Sequence, residues 1–260
     1  MNTTPSHARL PQGIVNIAAL VVALVVNALA TTLPLGGRTT AEISDSFNIL
    51  FVPAGYVFSI WGLIYLALIG FAVFQALTAQ QNNYFVRATG WWFALSCFAN
   101  ALWIVFWHSG YYLLTLAMML ILLASLIVIY RRLAALSDAD IPTRWLTQFP
   151  FSLYLGWITV ATVANASAVF VDLGWDGSPL SPVTWTVVMI AVAAGLSFLM
   201  SYRHRDLIYS GVIVWALIGI LLKQMAYAPI VAACVIAVGA IVLGAIVYQW
   251  RKPPVWGTAK

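Results

Sequence analysis

Residues 150–171 read PFSLYLGWITVATVANASAVFV, an apolar run with no Asp, Glu, Lys or Arg in it. About 20 such residues in a helix cross the hydrocarbon core of a bilayer. In lipid the backbone must pair its own polar groups within the segment, so the run is a helix and not a strand. Seven more runs of this kind flank it: 13–33, 54–77, 89–107, 111–130, 183–201, 207–223 and 228–250. The alternating pattern of a membrane barrel is missing. The shortest run, 207–223, is bracketed by Arg203, Arg205, Asp206 and Lys223, which suit helix ends better than a spanning interior.

Composition agrees. Of the 260 residues, 63% are hydrophobic and only 7% charged, where a soluble domain carries roughly a quarter charged residues. Too little charge remains to cover a water-facing surface, so lipid is the expected solvent and an all-α polytopic membrane fold is expected. The net charge of +5 would in a soluble protein raise the question of nucleic acid. Here no basic face tracks phosphates, and the basic residues sit between apolar runs, where they set orientation. With the N-terminus inside, the inner loops and ends carry Arg9, Arg87, Arg131, Arg132, Arg144, Arg203, Arg205, Arg251, Lys252 and Lys260, and the outer loops only Arg38 and Lys223. Both termini are therefore expected in the cytoplasm, in a bacterial-type inner membrane. The start imitates a secretory signal, with Arg9, an apolar run and Ala28-Leu29-Ala30, but the run is long for a signal core and reads as the first helix.

No acidic or basic residue lies in the middle of any run, which argues against a proton pump or a carboxylate-coupled transporter. His7, His108 and His204 are at no ligand spacing, so no metal site and no catalytic constellation is expected. Cys97 and Cys234 lie in different apolar runs and read as buried small hydrophobes. Aromatic and amide chemistry remains. There are 12 tryptophans; Trp145, Trp175, Trp185 and Trp250 fall near helix ends, where indoles favour the membrane interface. Others lie deeper. Trp61 and Tyr65 are four apart on one face, as are Trp157, Ala161 and Asn165 at successive fours, while Asn100 and Trp103 are three apart. Asparagine inside a membrane helix either bonds helices together or meets a ligand. Both uses are open here, and they coexist when the amides line a cavity.

The runs Pro53-Ala54-Gly55-Tyr56-Val57-Phe58 with Trp61 and Tyr65, Asn100-Ala101-Leu102-Trp103, and Tyr154-Leu155-Gly156-Trp157 with Ala161-Thr162-Val163-Ala164-Asn165 resemble the signature of the TspO/MBR family. These are the tryptophan-rich sensory proteins, similar to the peripheral benzodiazepine receptor. The family pattern has a second proline where this chain has Ala54, and tryptophan where it has Tyr56. One residue fewer separates Phe58 from Trp61. The resemblance covers about residues 13–175. It implies a five-helix membrane domain over 1–175, with 176–260 as an added three-helix segment and a short cytoplasmic tail.

The resemblance implies a membrane ligand-binding or sensory protein for a flat apolar compound, tetrapyrrole- or sterol/isoprenoid-like. The expected ligand residues are Tyr56, Phe58, Trp61, Asn100, Trp103, Trp107, Trp157 and Asn165, near the outer face. Apolar residues in the outer loop 34–52, above all Phe47 and Phe51, are expected either to pack as a lid or to dip into the lipid interface. No cofactor is expected beyond a possible bound tetrapyrrole. An uncoupled small-molecule or lipid permease is the alternative function, and porphyrin degradation is invited by the family without any acid/base group in support. The inner connection 131–148, rich in arginine, reads as a solvated loop. Ala240 and Gly244 make a small-xxx-small pair, either for packing within the chain or for a homodimer face.

Overall fold

The computed structural model describes residues 10–32, 37–77, 83–136 and 139–251, with side chains from residue 12 to residue 247. Among these residues ten helices follow in chain order: α1 Leu10–Thr32, α2 Thr40–Asp45, α3 Ile60–Ala76, α4 Tyr84–His108, α5 Tyr112–Ala134, α6 Ile141–Thr143, α7 Phe149–Asp172, α8 Pro182–His204, α9 Leu207–Lys223 and α10 Ala228–Arg251. A 3-10 turn, Gly55–Ser59, leads into α3. There is no strand among the described residues. Among the described residues, seven helical segments are long and apolar enough to cross a membrane, and α9 is a shorter apolar helix. At about 1.5 Å per residue, its 17 residues reach about 26 Å, short of the ~30 Å hydrocarbon core.

Neighbour relations define the architecture. α1 packs on α4, α4 on α5, α5 on α7, α7 on α3 and α3 back on α1, closing a ring. α9 packs on the outer side of α7, and α8 and α10 brace α9. Because α7 is shared by the ring and the added helices, nearly its whole first half, Pro150–Ile158, is buried. The ring core is a T-shaped triad of Phe71, Phe93 and Phe151, with centroids 5.0, 5.1 and 5.7 Å apart. Buried amides and hydroxyls tie the helices: Asn27 Nδ2 of α1 donates to Asn100 Oδ1 of α4 at 2.7 Å, and Asn165 Nδ2 of α7 to Thr115 Oγ1 of α5 at 2.9 Å.

Two segments depart from expectation. The inner connection 131–148 is not merely a solvated loop. α5 continues to Ala134, and Asp140 accepts from the Thr143 amide to cap α6. A π-helical turn, Arg144–Gln148, then runs into α7 and buries Thr143 and Thr147. The third span begins earlier than 89 because α4 is two helical pieces joined at Gly90, whose φ of 53° and ψ of −145° suit only a residue without Cβ. Gly244 faces α8: a Cβ there would lie 3.4 Å from the Phe198 ring. Trp250 and Arg9 fall outside the described side chains.

Candidate ligand site: an aromatic cavity

The first turns of α3, the last two turns of α4 and the middle of α7 bring their aromatic faces to one level. Pro53 and the 3-10 turn set the entry of α3, so Phe58 and Trp61 point inward. Tyr65, Trp61, Trp103 and Trp107 form a continuous column. Tyr65–Trp61 centroids are 5.4 Å apart at 19°, Trp61–Trp103 6.4 Å at 30°, and Trp103–Trp107 5.7 Å at 19°. Trp157 and Tyr154 stand edge-on to Trp61 at 6.2 and 5.8 Å, and Phe58 edge-on to Trp157 at 5.7 Å. These are the offset and T-shaped geometries that ring quadrupoles favour.

A small cavity lies against this column. Its walls are Thr40, Ser44, Pro53, Phe58, Trp61, Trp103, Trp107, Trp157, Val160, Ala161, Ala164 and Asn165. The structure thus collects Phe58, Trp61, Trp103, Trp107, Trp157 and Asn165 of the expected set at one place. Tyr56 is not among the walls. It is half-exposed and stands edge-on to Trp215 of α9, with centroids 5.5 Å apart. Asn100 is buried behind the column, where its Oδ1 also accepts from the Tyr65 hydroxyl at 3.4 Å.

The segment 37–59 packs on the bundle as a roof. Thr39 and Glu42 form a capping box for α2, with Glu42 Oε2 accepting from the Thr39 amide at 2.6 Å and hydroxyl at 3.0 Å. Those bonds hold the Glu42 carboxyl below its ordinary range. Trp107 Nε1 donates to the Thr40 carbonyl at 3.3 Å, and the Thr40 hydroxyl meets His108 Nε2 at 3.2 Å. Phe47 packs on Trp107 and Tyr112 at 5.8 and 4.9 Å, and Phe51 is buried in the core. Neither Phe47 nor Phe51 touches the cavity; the roof meets it through Thr40, Ser44, Pro53 and Phe58.

At the column, three buried donors have no acceptor among the described residues, Trp103 Nε1, Trp157 Nε1 and Asn100 Nδ2; Gln75 Nε2 and Ser197 Oγ are likewise unmet elsewhere in the bundle. A buried donor left unmet costs about 1–3 kcal/mol. Two of the three residues are cavity walls. Thr40, Ser44, Asn27 and Thr115 were missed by sequence reasoning. Asn27 is an amide within an apolar run and carries the same signal as Asn100, whereas Thr40 and Ser44 look like ordinary loop residues.

Fold and site together define a class: a polytopic helical membrane protein whose five-helix ring holds a roofed aromatic cavity. A family model described as TSPO-like protein matches residues 13–248, and the chain belongs to that family. The match runs through α8, α9 and α10, well past the last of the three sequence runs. Comparisons with curated proteins and with solved structures gave no match. Membership places the chain among membrane proteins of a ligand-binding, sensory kind in the general sense.

Proposed function

We propose that the cavity binds a flat, ring-bearing compound with hydrogen-bond acceptors on its edge, a tetrapyrrole acid being the best fit, and that the protein senses or carries this compound without turning it over. The supporting observation is the pairing of an indole column with unmet donors on two of the cavity walls, Trp103 and Trp157. The column offers ring faces for stacking. The donors favour a compound with carbonyl or carboxylate oxygens over a plain hydrocarbon lipid. The cavity lies at the end of the bundle that carries Arg38 and Lys223, opposite the arginine-rich ends of α5 and α8. By the bias of basic residues toward the cytoplasm, the proposed orientation in a bacterial-type inner membrane has the cavity facing outward and both termini on the cytoplasmic side.

The cavity measures about 30 Å³, room for a water or two, whereas pockets for drug-sized ligands hold about 300–1,000 Å³. Binding therefore requires the roof to lift. Titrating the purified protein with protoporphyrin tests the reading. Saturable quenching of tryptophan fluorescence is expected, and Ala161→Phe, which fills the cavity from α7, should abolish it while the protein stays folded. Non-saturable quenching, or equal binding by the filled variant, would refute the site.

A further inference from the structure

One face of α9 and the turn after it grip the roof over an unbroken stretch. Lys223 pairs with Asp45 at the end of α2. Gln224 Nε2 donates to the Leu50 carbonyl at 3.0 Å. The Ala54 amide donates to the Gly219 carbonyl at 3.2 Å, and Trp215 Nε1 donates to the Val57 carbonyl at 3.2 Å. Trp215, Gly219 and Lys223 are spaced by four and so share one helical face. Glycine at 219 is what permits the approach: a Cβ there would lie 2.3 Å from Val57 Cγ2 and 3.0 Å from Pro53 Cβ. Pro53 is at once the residue seated on Gly219 and a wall of the aromatic cavity. The other half of the roof is tied to the ring through Trp107 and His108.

We propose that α9 is a latch. It holds residues 45–57 shut over the cavity, and Trp215, Gly219 and Lys223 are the positioning residues that set how often the roof opens. α8 and α10 serve this by bracing α9 from behind. The Ala54 amide and the Leu50 carbonyl find these partners on α9 and the turn after it and not on the five-helix ring, which gives the added helices a purpose at the site. The Lys223–Asp45 pair is partly exposed, at 26% and 45%, so salt and surface charge tune the latch. The inference rests on the reading of the cavity as a ligand site, but lid opening can be read with no ligand present.

The experiment is hydrogen exchange of residues 43–57 in the intact protein in detergent or nanodiscs. Lys223→Gln removes the ion pair, and Trp215→Phe removes one donor while keeping a ring against Tyr56. The hydrogen-bond loss should raise exchange of the segment about 2- to 13-fold, and loss of the ion pair by about fivefold at most. Exchange in α1, α5 and the ring core should stay unchanged. High salt should reproduce the Lys223→Gln effect in the wild type and add nothing in the variant. The swap Asp45→Lys with Lys223→Asp should restore slow exchange. Unchanged exchange of 43–57 in the Trp215→Phe, Lys223→Gln double variant overturns the latch, as does exchange that rises equally throughout the bundle. The rate of protoporphyrin quenching, measured on the same variants, tests the ligand reading separately: faster exchange without faster quenching keeps the latch and removes the porphyrin.

Discussion

Trp157→Phe separates a binding indole from a packing one. Trp157 is 2% exposed, and its Nε1 has no acceptor among the described residues. Replacing it with phenylalanine removes a donor whose isolation costs about 1–3 kcal/mol. The two ring carbons lost with it forfeit about 1.6 kcal/mol of transfer free energy, at ~0.8 kcal/mol per methylene-sized group, before any cavity term. The terms oppose and are of similar size, so ligand-free stability should move by no more than about 1–2 kcal/mol. Truncation of a buried tryptophan to alanine costs about 3–5 kcal/mol. Affinity should behave differently. If a ligand oxygen takes the indole N–H, its loss costs about 0.5–1.5 kcal/mol for a neutral acceptor, or about 1.5–3 kcal/mol for a carboxylate. Those figures correspond to about 2- to 13-fold and about 13- to 160-fold in Kd.

Thermal unfolding in detergent and fluorescence titration with protoporphyrin, run on the same preparation, give both numbers. Trp103→Phe should behave alike. A variant that unfolds as readily as the alanine truncation, with Kd unchanged, would refute the reasoning, because the N–H would then be part of the packing and not of the binding surface.

Asn165→Ala and Thr115→Ala, combined in a double-mutant cycle read by unfolding, should couple by about 0.6–2 kcal/mol, the range for hydrogen bonds between membrane helices. Gly90→Ala should destabilise by about 1–3 kcal/mol, because α4 needs a positive φ at that joint and a Cβ there is strained. The Glu42 carboxyl is held below its ordinary range by its bonds to Thr39, so its contribution to α2 is present above about pH 4.3, the unfolded value, and is lost as pH falls through the folded one. Exchange of the α2 amides should therefore accelerate toward pH 3, and Glu42→Gln should flatten that dependence.

The spans were legible because hydrophobic length is a one-dimensional property: 207–223 and the start of the last helix were placed to the residue. The meeting of Trp61, Trp103, Trp157 and Asn165 was legible too, since helix periodicity and common depth place them at one level. What failed were readings that depend on which neighbour a residue meets. Tyr56 sits in the same run as Phe58 and Trp61, but the 3-10 turn rotates it away from the cavity and toward Trp215. The charges at Asp140 and Arg144 suggested a loop, although Asp140 before Ile141-Pro142 is also an N-cap with proline in the first turn. Gly219 was silent. Within an apolar run a glycine signals nothing until a second backbone is seen lying against it.

That silent glycine bears on affinity as well as on shape. The apparent Kd of a ligand for a cavity that is open only part of the time is the intrinsic Kd divided by the open fraction. A closed volume of about 30 Å³ admits no ring system, so on the proposed reading the open fraction enters the measured affinity. The contacts of Trp215, Gly219, Lys223 and Gln224 with residues 45–57 stabilise only the closed form. Releasing them should therefore tighten the apparent affinity by the same factor that it speeds lid exchange, until the roof is open most of the time. Trp157→Phe weakens binding without touching the lid, so in the triple variant with Trp215→Phe and Lys223→Gln the two effects should multiply. A lid-released protein that binds no more tightly, despite faster exchange at 43–57, would mean that the ligand reaches the indole column by another route, between α3 and α7 from the lipid side.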